Sequence, residues 1–300
     1  MKLSIIIVLY NSAKVIETTL DAVYASKVNF DYEVLIVDNK SPDNSVQIVR
    51  EKYLSDLQIA SKTKLLLHDK NEGFGIGNNI GIANSQGDYV LLLNSDTKLS
   101  PENLQVMVDF MESRPDVGGA TCKLIKADGE IDPASRRGEP NLLRSFFRLF
   151  GLQKLFPKWF GGYNMLHKDP NVESELESCS GAYLIMPGEI VKKVGGFDPR
   201  FFMYAEDLDL CRKIREAGFK IWWYPKTTCV HFRGQSTKHT PQKMIYAFYE
   251  AMWIYYKKWY SQKYFYIMDP LVFLGLTVLY LYKSLQNLLK PKHKQFVSKS

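Results

Sequence analysis

Short apolar runs at residues 3–9, 33–37 and 89–93 each give way at once to polar or acidic residues, and amphipathic stretches separate them. That alternation, with a further run at 64–67, is the pattern of βαβ units and predicts an α/β fold with a mostly parallel sheet. In such open sheets ligands bind beyond the carboxyl ends of the strands. The three junctions read Tyr10-Asn11, Asp38-Asn39-Lys40-Ser41 and Asn94-Ser95-Asp96. A carboxylate at such a place can accept a hydrogen bond from the imide N–H of uracil or thymine, or ligate a hard cation. Each junction alone equally suits a helix cap, Asn11 or Ser12 for the first helix and Ser41-Pro42 for the second. Three on one edge point to a ligand.

Farther along, a helix is expected over 101–113, a strand over 118–125, a strand over 181–186, a helix near 189–194, a helix over 206–217 and a strand over 219–224 stopped by Pro225. Asn71-Glu72-Gly73-Phe74-Gly75-Ile76-Gly77-Asn78 contains G-x-G but follows the third run rather than the first, a poor match to a dinucleotide site. Its glycines are expected to let backbone approach an anion at a helix start. Between Arg136 and Tyr163 six basic residues, Arg136, Arg137, Arg144, Arg148, Lys154 and Lys158, face the single acid Glu139. This stretch suits either an interfacial amphipathic segment or a mobile substrate loop.

A net charge of +7 over 300 residues invites a nucleic-acid partner, but its distribution argues otherwise. From Lys238 onward ten lysines stand against Glu250 and Asp269, a balance of +8 that leaves residues 1–237 at −1. That tail also carries eleven aromatics between Tyr246 and Tyr266 and an apolar run from Leu271 to Tyr282, a composition suited to a membrane interface. Residues 264–282 approach the length of a span, but Asp269-Pro270 is expected to interrupt them, which favours a docked helix; packing on the catalytic part or in a homodimer is the alternative. Cys122, Cys179, Cys211 and Cys229 form no C-x-x-C pair, and nothing resembles an export signal, so buried free thiols and a cytoplasmic location are expected.

With Val8-Leu9-Tyr10-Asn11, Asp38-Asn39-Lys40-Ser41, Asn71-Glu72-Gly73-Phe74, Asn94-Ser95-Asp96, Ser180-Gly181-Ala182, Gly195-Gly196-Phe197-Asp198, Tyr204-Ala205-Glu206-Asp207-Leu208-Asp209-Leu210 and His231-Phe232-Arg233-Gly234-Gln235-Ser236 in this order, residues 3–236 resemble the family 2 inverting glycosyltransferases of the GT-A fold. Within that family the chain is most similar to bacterial rhamnosyltransferases of surface-polysaccharide synthesis. The resemblance implies a catalytic domain over 1–237, with a nucleotide-binding half over 1–98 and an acceptor half over 99–237, followed by a helical tail over 238–300. It implies that Asp38 holds the base beside Tyr10, Asn11 and Asn39, and that Asn71, Gly73, Phe74 and Asn78 shape the nucleotide and sugar-phosphate pocket. Asp96 would ligate Mg2+ or Mn2+ with His231, with Asn94 where the family's D-x-D motif has its first acid.

Transfer with inversion needs a base to deprotonate the acceptor hydroxyl, and Glu206-Asp207 at a helix start supplies two candidates. Asp207 matches the family's base more closely than Glu206, and Asp209 is expected to be solvated. The implied donor is dTDP-rhamnose or a UDP-sugar, and the implied acceptor a glycan or lipid-linked glycan. A galactofuranosyl or other hexosyl transferase and a non-catalytic sugar-nucleotide binding module are the alternatives. No Q-x-x-R-W motif or bank of spans marks a processive synthase.

Overall fold

The computed structural model describes residues 1–141, 144, 163, 165, 168–232 and 241–290. Arg148, Lys154, Lys158, Arg233–Ser236 and the expected domain boundary at 237 lie outside the described residues. The chain begins with β1 (Leu3–Leu9), α1 (Ile16–Tyr24), β2 (Tyr32–Asp38), α2 (Ser45–Ile48), α3 (Leu57–Ala60), β3 (Thr63–Leu67), α4 (Phe74–Asn84) and β4 (Tyr89–Leu93). β5 (Thr97–Leu99), α5 (Asn103–Ser113), β6 (Val117–Ile125), β7 (Ser174–Leu176), β8 (Tyr183–Pro187), α6 (Gly188–Lys193), α7 (Glu206–Glu216) and β9 (Lys220–His231) follow. The chain then forms α8 (Pro241–Trp259) and α9 (Asp269–Leu288).

β1 and β2 are almost wholly buried on both faces, which is why they read as unbroken apolar runs rather than alternating ones. The sheet order is β3-β2-β1-β4-β8-β6-β9-β5, with β7 also paired to β9. β1 to β4 are mutually parallel where they pair, whereas β8 runs antiparallel to β4 and β6, so the sheet is mixed. The carboxyl ends of β1, β2 and β4 therefore share one edge.

Neither expected cap forms. α1 begins after Val15 with no side-chain cap, and the Ser12 hydroxyl lies 2.8 Å from that of Ser95, tying the ends of β1 and β4 together. α2 starts at Ser45, past Ser41-Pro42; Asp43 instead accepts from the backbone N–H groups of Ala13 and Ser45. Both short polar residues join loops rather than begin helices. The glycines of α4 also have another use: a Cβ on Gly77 would lie 2.8 Å from Val8 and one on Gly81 2.4 Å from Ile6, so they bring the helix down onto β1. At its start Phe74 N–H donates to the Phe202 carbonyl and Gly77 N–H to the Gly73 carbonyl.

Pro225 does not stop β9. The parallel register against β6 jumps between Tyr224, opposite Cys122, and Thr228, opposite Lys123, so the proline sits in a bulge where no ladder hydrogen bond is lost. Beyond the bulge the strand continues to His231, which pairs with Thr97 on β5.

Asp269-Pro270 opens α9 rather than interrupting it. Proline at a first helical turn lacks an N–H that would have no partner there anyway, and the Asp269 carboxylate is held by Ser261 and Lys257. The result is a continuous helix of 20 residues, long and apolar enough by composition to cross a bilayer, with 6% of its most apolar stretch buried. It pairs with α8 through edge-on contacts of Trp253 with Phe273 and of Tyr246 with Tyr280.

Candidate active site

Along the shared strand edge, Tyr10 is half-buried and Asn11 takes φ 55°, turning the chain away from β1. Asp38 is buried and both its oxygens lie 3.2 Å from Ser41 N–H, so its carboxylate shapes the β2 turn. Asn39 donates to the Gly73 carbonyl at 2.8 Å and leaves its buried Oδ1 without a partner. Asn71 accepts from Gly73 N–H at 3.1 Å, and Gly73 itself has φ 95° with the Phe202 carbonyl in the place a Cβ would need. Phe74 stacks edge-on with Phe197. Asn78 lies inside α4, where its amide donates back to the Phe74 carbonyl at 2.9 Å.

At the end of β4 three side chains converge. Asp96 Oδ1 and the Asn94 amide nitrogen each stand 3.3 Å from His231 Nε2, and His231 Nδ1 is 2.9 Å from Asp132. Burial alone would push the imidazole down, but hydrogen bonds to Asp132 and Asp96 outweigh it and raise its pKa to about 9. Among the described residues no three His, Cys, Asp or Glu side chains form a ready cation cluster. The donor set nevertheless fits a hard divalent cation. Asn94 Oδ1 is buried with no partner, Asp96 supplies carboxylate oxygen, and Asp132 holds the far side of the His231 ring as second carboxylates do for metal-bound histidines.

Across the cleft, Glu206 and Asp207 start α7 behind two residues of positive φ, Tyr204 at 73° and Ala205 at 61°. Such strain costs roughly 1–3 kcal/mol per residue and turns both carboxyl groups inward instead of into a solvent cap. Asp207 Oδ2 accepts from Arg137 at 2.5 Å and from Gly181 N–H at 3.1 Å, and Oδ1 from Leu208 N–H at 2.8 Å. Three of the roughly four acceptor positions of a carboxylate are thus filled by fixed donors, leaving one. Glu206 Oε2 is buried with no partner; burial, with the neighbouring Asp207 charge adding to it, holds this carboxyl far above the ordinary carboxylate range.

Asp209 is not solvated. It is 0% exposed and is bound by Lys258 at 2.9 Å and Trp259 Nε1 at 2.8 Å, because α8 covers the face of α7 that its own periodicity leaves open. Arg137 and Asp132 emerge as site residues without having been singled out. The basic stretch signalled Arg137 only as one charge among six, and nothing local signalled Asp132. A cavity of about 820 Å³ brings Asn94 and Phe74 together with Arg137, Gly181, Glu206 and Asp207.

Residues 4–171 match the family model described as glycosyl transferase family 2, and residues 89–291 that of glycosyl transferase family group 2. The chain belongs to glycosyl transferase family 2. It is 26% identical over 235 residues to the N-acetylglucosaminyl-diphospho-decaprenol L-rhamnosyltransferase of Mycobacterium tuberculosis, covering 74% of this chain and 73% of that one. To the rhamnosyltransferase WbbL of Escherichia coli it is 27% identical over 170 residues, 53% of this chain and 61% of that one. Among solved structures, Staphylococcus aureus TarS 1–349 in complex with UDP-GlcNAc superposes with a TM-score of 0.57 at 22% identity over 85% of this chain and 65% of that one. The expected GT-A fold is therefore the observed one, and this family 2 member is a glycosyltransferase that takes its sugar from a nucleotide donor.

Proposed function

We propose that this glycosyltransferase moves L-rhamnose from dTDP-rhamnose, with inversion, to a hydroxyl of a lipid-linked glycan during surface-polysaccharide synthesis. The observation that carries the chemistry is the single cavity on which Asn94, Arg137, Glu206 and Asp207 converge. The sugar is supported by the two rhamnosyltransferases at 26% and 27% identity, and the lipid-linked acceptor by the name of the Mycobacterium tuberculosis relative alone. Asp38, Asn39, Tyr10 and Asn11 hold the base end of the nucleotide, and Asn71, Gly73 and Phe74 form the wall beside it.

The acceptor hydroxyl fills the last free position on Asp207. As its oxygen bonds to the anomeric carbon from the face opposite the leaving group, its proton passes to Asp207 and the bond to the diphosphate breaks. Arg137 and the N–H groups of Gly181 and Leu208 keep that carboxylate in one orientation through the step. Glu206, neutral at pH 7, is a hydrogen-bond donor rather than a second base. Asp96, Asn94 and His231 are the residues that would hold Mg2+ or Mn2+, whose charge offsets that of the departing diphosphate.

The α8–α9 pair would dock on the cytoplasmic face of a membrane. Docking is favoured over spanning because one side of α9 is already packed on α8 and another faces the cavity. Lys263, Lys283 and Lys290 lie along the pair, where each adds on the order of 1 kcal/mol at an anionic surface.

Calorimetric titration tests the donor site. With Mg2+ present the full chain should bind dTDP or UDP, and binding should weaken with EDTA and in Asp96→Ala. Tight binding indifferent to both changes would remove the cation from the account, and no binding of either nucleotide would remove the donor assignment.

A further inference from the structure

The cavity that holds the carboxylates does not end at the catalytic domain. It extends to α8 and α9, and its lining changes character on the way. The polar side chains come from the end of β4, the segment around Arg137 and the start of α7. The seven positions that α9 contributes between Leu271 and Leu279 are all aliphatic or glycine. A sugar acceptor alone has no use for such a wall, since its hydroxyls would lose water there and find no partner.

Beyond the cavity the apolar surface continues along α9. Leu271, Leu274, Val278, Leu281, Leu285 and Leu288 recur at spacings of three and four on one stripe, each 56% to 62% exposed. The stripe is about 25 Å long at 1.5 Å per residue.

Heptad-like spacing suits a second helix, but a coiled-coil seam in water is edged by charged residues that pair across it. Here the flanking positions are Gly275, Thr277, Tyr282, Ser284 and Leu289, with no charge among them. Simple contact with a bilayer would account for the outer stripe but not for Val272, Leu276 and Leu279, which are half-buried and line the same cavity as Glu206 and Asp207. An occupant that touches both must be joined to the molecule whose hydroxyl is deprotonated.

We infer that the cavity wall and outer stripe of α9 form a binding slot for the long hydrocarbon chain of the acceptor, entered from the membrane side and ending at Glu206 and Asp207. The inference rests on the proposal that this cavity receives the acceptor, and it makes the helix pair half of the acceptor site rather than an anchor alone. The class of ligand is an amphiphile with a hydroxyl-bearing polar head and an extended chain, and the diphosphate of the probes below follows the diphospho-decaprenol in the name of the Mycobacterium tuberculosis relative. Each methylene that the slot takes from water should tighten binding about fourfold until the slot is filled.

Gly275 gives a clean probe. It lines the cavity and a Cβ there would have nothing within 4 Å, so a large side chain can be added without a clash, and helix propensity improves when glycine is replaced. The experiment titrates dimethylallyl, geranyl, farnesyl and geranylgeranyl diphosphate, below their micelle concentrations, into the full chain and into Gly275→Phe, with dTDP and UDP titrated in parallel. Affinity in the unaltered chain should rise more than tenfold from the five-carbon to the twenty-carbon ligand. Gly275→Phe should keep its fold and its nucleotide affinity while losing that dependence.

Chain-length-independent binding, or a dependence that Gly275→Phe leaves intact, overturns the slot. A dimer that Leu281→Lys dissociates, in a chain that ignores the prenyl series, assigns the stripe to a second copy and also overturns it. Failure of both nucleotides to bind the unaltered chain strikes the donor assignment instead, so the two failures are told apart.

Discussion

Glu206 and Asp207 are neighbours in sequence and opposites in environment. Asp207 is surrounded by donors that leave one acceptor position open; Glu206 has a buried oxygen without a partner, and burial holds its proton on. Environment, rather than residue type, sets the two carboxyl groups apart. Because the folded pKa of Glu206 is raised, the folded chain holds a proton that the unfolded chain releases above pH ~4.3. Stability therefore falls as pH rises from there and levels off above the folded pKa. Glu206→Gln, which stays neutral, should leave the melting temperature unchanged near pH 4 and raise stability by roughly 1–3 kcal/mol near pH 9, where Asp207 and Arg137 are both charged. Thermal unfolding at the two pH values checks this, and an equal effect at both would show that Glu206 ionises normally. The place of this pair at a helix start was legible, and the family resemblance favoured Asp207 over Glu206, but the contrast in their surroundings was not legible. Arg137 reaches Asp207 from 70 residues away, and Tyr204 and Ala205 adopt conformations no local rule assigns them.

Elements were legible where burial is decided locally. β1 and β4 have the expected bounds because a strand buried on both faces shows itself as an apolar run between polar residues. The first two helix starts were not, since Ser12 looks like a cap but binds Ser95 and Ser41-Pro42 precedes a helix that begins only at Ser45, and Pro225 looks like a terminator but sits in a bulge that carries β9 on to His231. α7 misled most: its own periodicity marks one buried face, but α8 buries a second through Lys258, Trp259 and Tyr260. Lys258 joins Asp209 and Asp198, while Tyr260 shares the Glu139 carboxylate with Arg212 and Arg215. Leu208 and Phe201 complete an apolar cluster with Ala251, Tyr255 and Tyr256. Removing one partner of a buried pair leaves an uncompensated charge, so Lys258→Met should destabilise the chain by about 3 kcal/mol. Urea unfolding measures it, and a loss within 0.5 kcal/mol would mean that α8 does not hold α7. A chain ending near residue 240 would expose this whole surface and should be less stable than the point variant.

At the scale of the molecule, the excess positive charge of the sequence falls after residue 237 and most of the exposed large apolar side chains fall on or between α8 and α9, while residues 1–237 are nearly neutral. One cavity is lined both by Glu206 and Asp207 and by the apolar side chains of α9. Inverting glycosyl transfer with Asp207 as the base is the claim on which the rest depends. It is tested most directly by turnover of the full chain with dTDP-rhamnose and, in parallel, UDP-sugars, using a lipid-linked sugar acceptor and following the anomeric centre of the product by NMR. The account predicts a product of inverted configuration and a rate lowered roughly 10²-fold or more in Asp207→Asn with nucleotide affinity little changed. A product of retained configuration, or normal turnover in Asp207→Asn, would contradict it.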